Sequence, residues 1–147
     1  MTAPQDPPLD DGLVLMEVNK IRIDERRGEQ VVVLREHSGT RMLPIIIGIS
    51  EVTAIKMHVS GIQPPRPLTH DLLSSTIHEL GASLDRIVIT KLEANTFFAK
   101  LLLRTKEGAI AEVDARPSDS IALALRAAAP IFVADEVLQQ VGSSLDS

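Results

Sequence analysis

Apolar and polar positions alternate from Leu13 to Ile23, with Leu13, Leu15 and Glu17 in one phase and Val18, Ile21 and Ile23 after it. A period of two predicts a strand, and the change of phase predicts an irregularity near Asn19. Val31 to Arg35 and Met42 to Ile47 read as two further strands, joined through a hairpin turn at Ser38-Gly39-Thr40. The run Leu43-Pro44-Ile45-Ile46-Ile47 is apolar on both faces. Pro44 has no N–H to give to a ladder, so this strand belongs at a sheet edge or a bulge.

The period then lengthens. Val52, Ile55 and Val59 share one face at helical spacing, with Ser50 expected as the N-cap, Glu51 in the first turn and Gly61 ending the helix. Pro64-Pro65-Arg66-Pro67 predicts a stiff, extended connector. A second helix is expected over His70 to Leu80, capped by Thr69 and stopped by Gly81, with Leu72, Leu73, Ile77 and Leu80 as its buried face. Leu84 to Leu92, Thr96 to Thr105 and Ala109 to Val113 read as an antiparallel meander, because Glu93-Ala94-Asn95 and Lys106-Glu107-Gly108 are short connections. Pro117 suits the first position of a helix running to about Ala128, whose Ile121, Leu123, Leu125 and four alanines leave almost no polar face. Ile131-Phe132-Val133 is a short strand, and a last helix runs to Val141. The predicted order is β-β-β-α-α-β-β-β-α-β-α, an α+β domain with a largely antiparallel sheet and helices packed on it.

A length of 147 residues with 44% hydrophobic residues suits one domain with a real core. Its expected span is 12–142, after a Pro- and Asp-rich disordered tail over 1–11 and before a loose tail over 143–147. The chain has no cysteine, which removes disulfides, thiolate metal sites and a cysteine nucleophile. There is no membrane-length apolar run and no signal-peptide core, so no membrane association and a cytoplasmic location are expected. The net charge is −5, tryptophan and tyrosine are missing, and the aromatics are Phe97, Phe98 and Phe132. A tight nucleic-acid binder shows a basic footprint and stacking rings, so any nucleic-acid contact here is expected to be weak or transient.

The candidate chemistry lies in two short stretches, Arg66-Pro67-Leu68-Thr69-His70-Asp71 and Asp114-Ala115-Arg116-Pro117-Ser118-Asp119. Each puts an arginine, a hydroxyl and carboxylates just where a helix is expected to begin. Unpaired N–H groups and partial positive charge make such a place suited to an anion. Arg66 and Arg116, with Thr69 and Ser118, are therefore phosphate-binding candidates. Asp71, Asp114 and Asp119, with Glu51, could supply oxygen ligands for a divalent cation if the fold gathers them. His70 is an acid/base candidate beside Asp71, Asp114 and Asp119. The plainer reading makes Thr69 and Ser118 caps, Asp71 a favourable first-turn acid, and Arg116 and Asp119 partners of each other. Both readings stand on the residues alone. No HExxH, GxSxG, Walker or GxGxxG pattern is present, and no organic cofactor is expected.

Pro64 to Leu72 and Asp114 to Ala124 resemble the signature segments of the bifunctional nuclease (BFN) domain family. Leu43 to Gly48 with Glu51, Thr96 to Ala99, and Ala129 to Val133 resemble its remaining signatures, so the similarity runs from about Val14 to Gly142. The resemblance implies an α+β fold, self-association into a homo-oligomer, and nuclease activity on DNA and RNA. With the residue types above it leads to an expected phosphodiesterase assisted by Mg²⁺ or Mn²⁺. The alternative is a non-enzymatic oligomeric module that binds a small anionic ligand or a protein partner.

Overall fold

The computed structural model describes residues 12–24 and 26–146; the tail expected over 1–11 lies outside them. The elements are β1 (Leu13–Asp24), β2 (Glu29–Glu36), β3 (Met42–Ile47), α1 (Ile49–Val59), α2 (Thr69–Glu79), β4 (Ser83–Glu93), β5 (Thr96–Arg104), β6 (Ile110–Ala115), α3 (Pro117–Ala127), β7 (Ile131–Ala134) and α4 (Asp135–Asp146). This is the predicted order. The seven strands form one sheet, β3-β2-β1-β7-β4-β5-β6. All neighbours are antiparallel except β4 and β7, which run parallel. The fold is α+β.

Local chemistry explains the strand details. The register of β1 on β2 slips between Val18 and Lys20, at the irregularity the pattern predicts. Pro44 lies in β3, an edge strand, the setting that its missing N–H favours. Ala94 and Asn95, both at positive φ, turn β4 tightly into β5. The centre of the sheet is filled last, because β7 comes late in the chain and inserts between β1 and β4.

Helix α3 is the core element. Ser120, Ile121, Ala122, Leu123 and Ala124 are all buried, and the helix touches β3, β4 and β5 as well as α1 and α2. Burying a side chain such as Ile121 or Leu123 contributes roughly 2 kcal/mol. Because α3 meets both β3 at one edge and β5 near the other, the sheet must curl around it. That curl brings the N-terminus of α3 beside the end of β3 and the start of α1.

Several expectations need correction. The apolar face of α2 is not a core face: Leu72, Leu73 and Leu80 are 60%, 39% and 75% exposed, and only Ile77 packs partly against the core. The side chain that α2 buries is His70. Val59 of α1 is exposed as well. The three helix caps also shift. The N-caps are Gly48, Leu68 and Arg116, so Ser50, Thr69 and Ser118 lie within the first turns and do not cap them. Helix α4 continues to Asp146, beyond the expected end at Val141. Among the described residues no helix is long and apolar enough to cross a membrane.

Candidate active site

The first turns of α1, α2 and α3 meet, and charged side chains join them. Asp119, in the first turn of α3, accepts on both oxygens. His70 Nε2 lies 3.0 Å from Oδ1, and Arg116 donates to Oδ2 from Nε at 2.9 Å and from Nη2 at 2.8 Å. Arg116 Nη2 also donates to Glu51 Oε1 of α1 at 2.7 Å. The chain of contacts runs His70–Asp119–Arg116–Glu51, one residue from α2, two from the start of α3 and one from α1. Glu51 and Asp119 both lie where helix N-termini favour negative charge.

The environment of each group follows from its packing. The Glu51 side chain is 9% exposed, whereas Arg116 lies over the site with 69% of its side chain in solvent. Glu51 folds back over Gly48, where a Cβ would stand 2.5 Å from Oε2, so any larger residue here must displace the Glu51 carboxylate. Burial pushes the Asp119 carboxyl up, but hydrogen bonds from His70 and Arg116 and the charge of Arg116 outweigh it. Asp119 therefore titrates below the usual carboxylate range. Asp119 and, next, Glu51 hold Arg116 above its ordinary value.

Asp71 belongs to a second pair. Its Oδ2 accepts the Leu68 N–H at 2.9 Å, and its Oδ1 accepts from Arg126 Nε at 2.6 Å. Arg126, in the last turn of α3, is a partner that the sequence reading missed. It stands seven residues after Asp119, two helical turns on, and so lies on the same face of α3. That spacing was the available signal. The start of α2 crosses this face, so His70 reaches the first turn of α3 and Asp71 the last.

The remaining candidates divide. Thr69 is exposed and lines a groove of about 480 Å³ with Ile49, Ser50, Thr53 and His70. Ser118 is buried and, with Arg116, borders a cleft of about 510 Å³ that reaches Ile46 and Phe97. Arg66 is exposed in the loop before α2. Asp114 is exposed on the edge strand β6, opposite Lys100 of β5. The two stretches thus share one site through His70, Asp119 and Arg116, without Arg66 or Asp114.

The metal set expected from the sequence is not assembled. Asp71 pairs with Arg126, Asp114 stands on β6, and Glu51 and Asp119 are bridged by Arg116. Among the described residues no group of three or more His, Asp or Glu side chains is placed to hold a metal ion. This donor arrangement does not fit Mg²⁺ or Mn²⁺, which take several oxygen ligands.

The fold and site define an α+β protein with one curled sheet and a His–carboxylate–Arg–carboxylate chain at converging helix starts. The chain belongs to the bifunctional nuclease domain family, whose sequence profile matches residues 32–146. An uncharacterized protein of Mycobacterium tuberculosis is 46% identical over 122 residues, which are 83% of this chain and 72% of that protein. Bifunctional nuclease 1 of Arabidopsis thaliana is 30% identical over 106 residues, 69% of this chain and 32% of that protein. Bifunctional nuclease 1 of indica rice, Oryza sativa, is 24% identical over 116 residues, 77% of this chain and 35% of that protein.

Proposed function

We propose that this protein is a nuclease that hydrolyses phosphodiester bonds of DNA and RNA. Family membership supports the class of activity. The observation that carries the reading is the His70–Asp119 contact with Arg116 beside it. A carboxylate that accepts from one imidazole nitrogen fixes the ring and its tautomer, and leaves the other nitrogen to take a proton. In this scheme Nε2–H donates to Asp119, and Nδ1 takes a proton from the attacking water as its oxygen bonds to phosphorus. The bond from phosphorus to the leaving sugar oxygen breaks, and that oxygen is protonated from solvent. Arg116 keeps its Nη1 hydrogens for a developing negative oxygen.

The test is cleavage of single-stranded DNA and RNA by protein purified to homogeneity, compared with His70→Gln. General acid–base groups typically contribute about 10²- to 10⁴-fold, so the variant should lose at least about a hundredfold in kcat/KM. Equal cleavage by both proteins rejects His70 as the base. No cleavage by the unaltered protein rejects the nuclease reading. The same assay with chelator examines Mg²⁺ or Mn²⁺. A chelator-dependent loss assigns the ion to the substrate-bound state, where phosphate oxygens add to the donor set.

A second reading rests on the apolar surface of α1 and α2. Ile49, Val59, Leu68, Leu72, Leu73 and Leu80 are all exposed. Exposed apolar side chains in this number on two helices favour association, and they support a homo-oligomer whose subunits meet through α2. Sedimentation velocity on the unaltered chain and on Leu72→Glu examines this. The unaltered chain should sediment as an oligomer and the variant as a smaller species. A monomer at all concentrations, or an oligomer indifferent to Leu72→Glu, rejects it. An oligomer with no nuclease activity would favour the non-enzymatic module.

A further inference from the structure

The surroundings of Arg116 and Arg66 differ in charge balance. At Arg116, two carboxylates share one guanidinium, so a phosphate arriving there meets a neighbourhood that is already net negative when His70 is neutral. At Arg66 the balance is reversed. A cavity of about 220 Å³ opens between the proline-rich loop, α2 and the end of α3, lined by Gln63, Arg66, Asp71, Ser74, Ser75 and Arg126 among the loop prolines. Two guanidinium groups face one carboxylate. That carboxylate is already engaged, by the Leu68 N–H and Arg126 Nε. Arg126 therefore keeps its Nη1 and Nη2 hydrogens. Arg66 makes no ion pair or hydrogen bond among the described residues.

We propose that this pocket binds a phosphate group, with Arg66 and Arg126 as charged donors and the Ser74 and Ser75 hydroxyls as neutral ones. Several features favour it. Prolines on both sides of Arg66 stiffen its backbone, so less freedom is lost on binding. Asp71 pairs with Arg126 through Nε and so anchors its guanidinium at the pocket. A pocket of about 220 Å³ has room for a tetrahedral oxyanion. On a chain of net charge −5, a local excess of positive charge is where a polyanion would be drawn. His70 and Asp71 are neighbours in sequence, so the pocket adjoins the site proposed for cleavage. A phosphate one or more nucleotides from the reacting one would be held there. Only the source of that phosphate, a nucleic-acid strand, rests on the nuclease reading.

The experiment measures binding, separately from cleavage. A labelled single-stranded DNA 12-mer is followed by fluorescence anisotropy at several salt concentrations, its integrity checked on a gel. Inorganic phosphate is titrated calorimetrically in a second arm. The proteins are the unaltered chain, Arg66→Gln, Arg126→Gln and Arg22→Gln, the last removing the same charge from β1. Charge-assisted hydrogen bonds of about 1.5 kcal/mol predict roughly tenfold weaker binding for Arg66→Gln and for Arg126→Gln. Loss of one phosphate contact should also lower the slope of log affinity against log salt by about 0.7. Arg22→Gln should bind like the unaltered chain. Losses in both arms support a strand-backbone site, and a loss for inorganic phosphate alone supports a small-anion site. Unchanged affinity in Arg66→Gln and Arg126→Gln, or an equal loss in Arg22→Gln, overturns the proposal. Arginine-dependent binding without cleavage removes the nuclease reading and keeps the pocket. Cleavage with unchanged affinity does the reverse.

Discussion

Arg66 and Arg116 occupy equivalent local settings, each before a proline at the approach to a helix, and the fold uses them in opposite ways. Arg116 bridges Glu51 and Asp119 and joins α1 to α3. Arg66 projects from its loop into a pocket that already holds a second arginine. Arg116 is tied to carboxylates because the curl of the sheet brings α1 against the start of α3. The loop carrying Arg66 lies beyond that junction and finds only Asp71, which Arg126 and the Leu68 amide already engage. An Arg-Pro step before a helix therefore specifies a rigid cation but not its employment.

The largest expected difference is in stability. Arg116→Gln leaves Glu51 buried without its cation. Breaking a fully buried pair costs about 3–5 kcal/mol. Arg116 is mostly exposed, so we expect about 1–3 kcal/mol, read as a lower urea midpoint at unchanged slope. Arg66→Gln should stay within about 0.5 kcal/mol of the unaltered chain. Equal effects would erase the contrast, and a destabilised Arg66→Gln would give that arginine a structural role.

A smaller effect concerns pH. The folded-state pKa of Asp119 is depressed, so its contribution is present above the unfolded value of about 3.9 and is lost as pH falls through the folded value. The stability gap between the unaltered chain and Asp119→Asn should narrow as the medium is acidified below pH 4. Asp114→Asn, on the exposed strand β6, should show no such gap. A gap that widens on acidification would contradict the assigned direction.

Much of the fold was legible in the sequence because it follows from local rules. Alternation gave the strands, and a proline without an N–H called for an edge or a bulge at β3, which is an edge strand. A helix apolar on nearly every side had to be the core helix, and α3 is. The errors also have physical causes. Leu72, Leu73 and Leu80 carry the periodicity of a buried face, but periodicity reports only that a face is apolar, not what covers it. The caps were misplaced because Ser50, Thr69 and Ser118 are good cap residues lying one or two positions inside helices that begin earlier. Asp71 instead accepts the N–H of Leu68, the residue that holds the N-cap position where Thr69 was expected.

At the candidate site the division is sharper. His70, Asp119, Arg116 and Glu51 could each be named from residue type and position at a helix start. Their union could not, since His70 and Asp119 are 49 residues apart, and Glu51 and Arg116 are 65 apart. Asp114 and Arg66 had the same local credentials and were left out. By itself the sequence determined which segments are strands and helices, which helix is buried and which residues could do acid–base or phosphate chemistry, because those follow from side chains and near neighbours. Only the tertiary structure decided which carboxylates face arginines, which arginine remains in charge excess and which leucines stay in water. Those depend on how far the sheet curls around α3, a property of packing between elements distant along the chain.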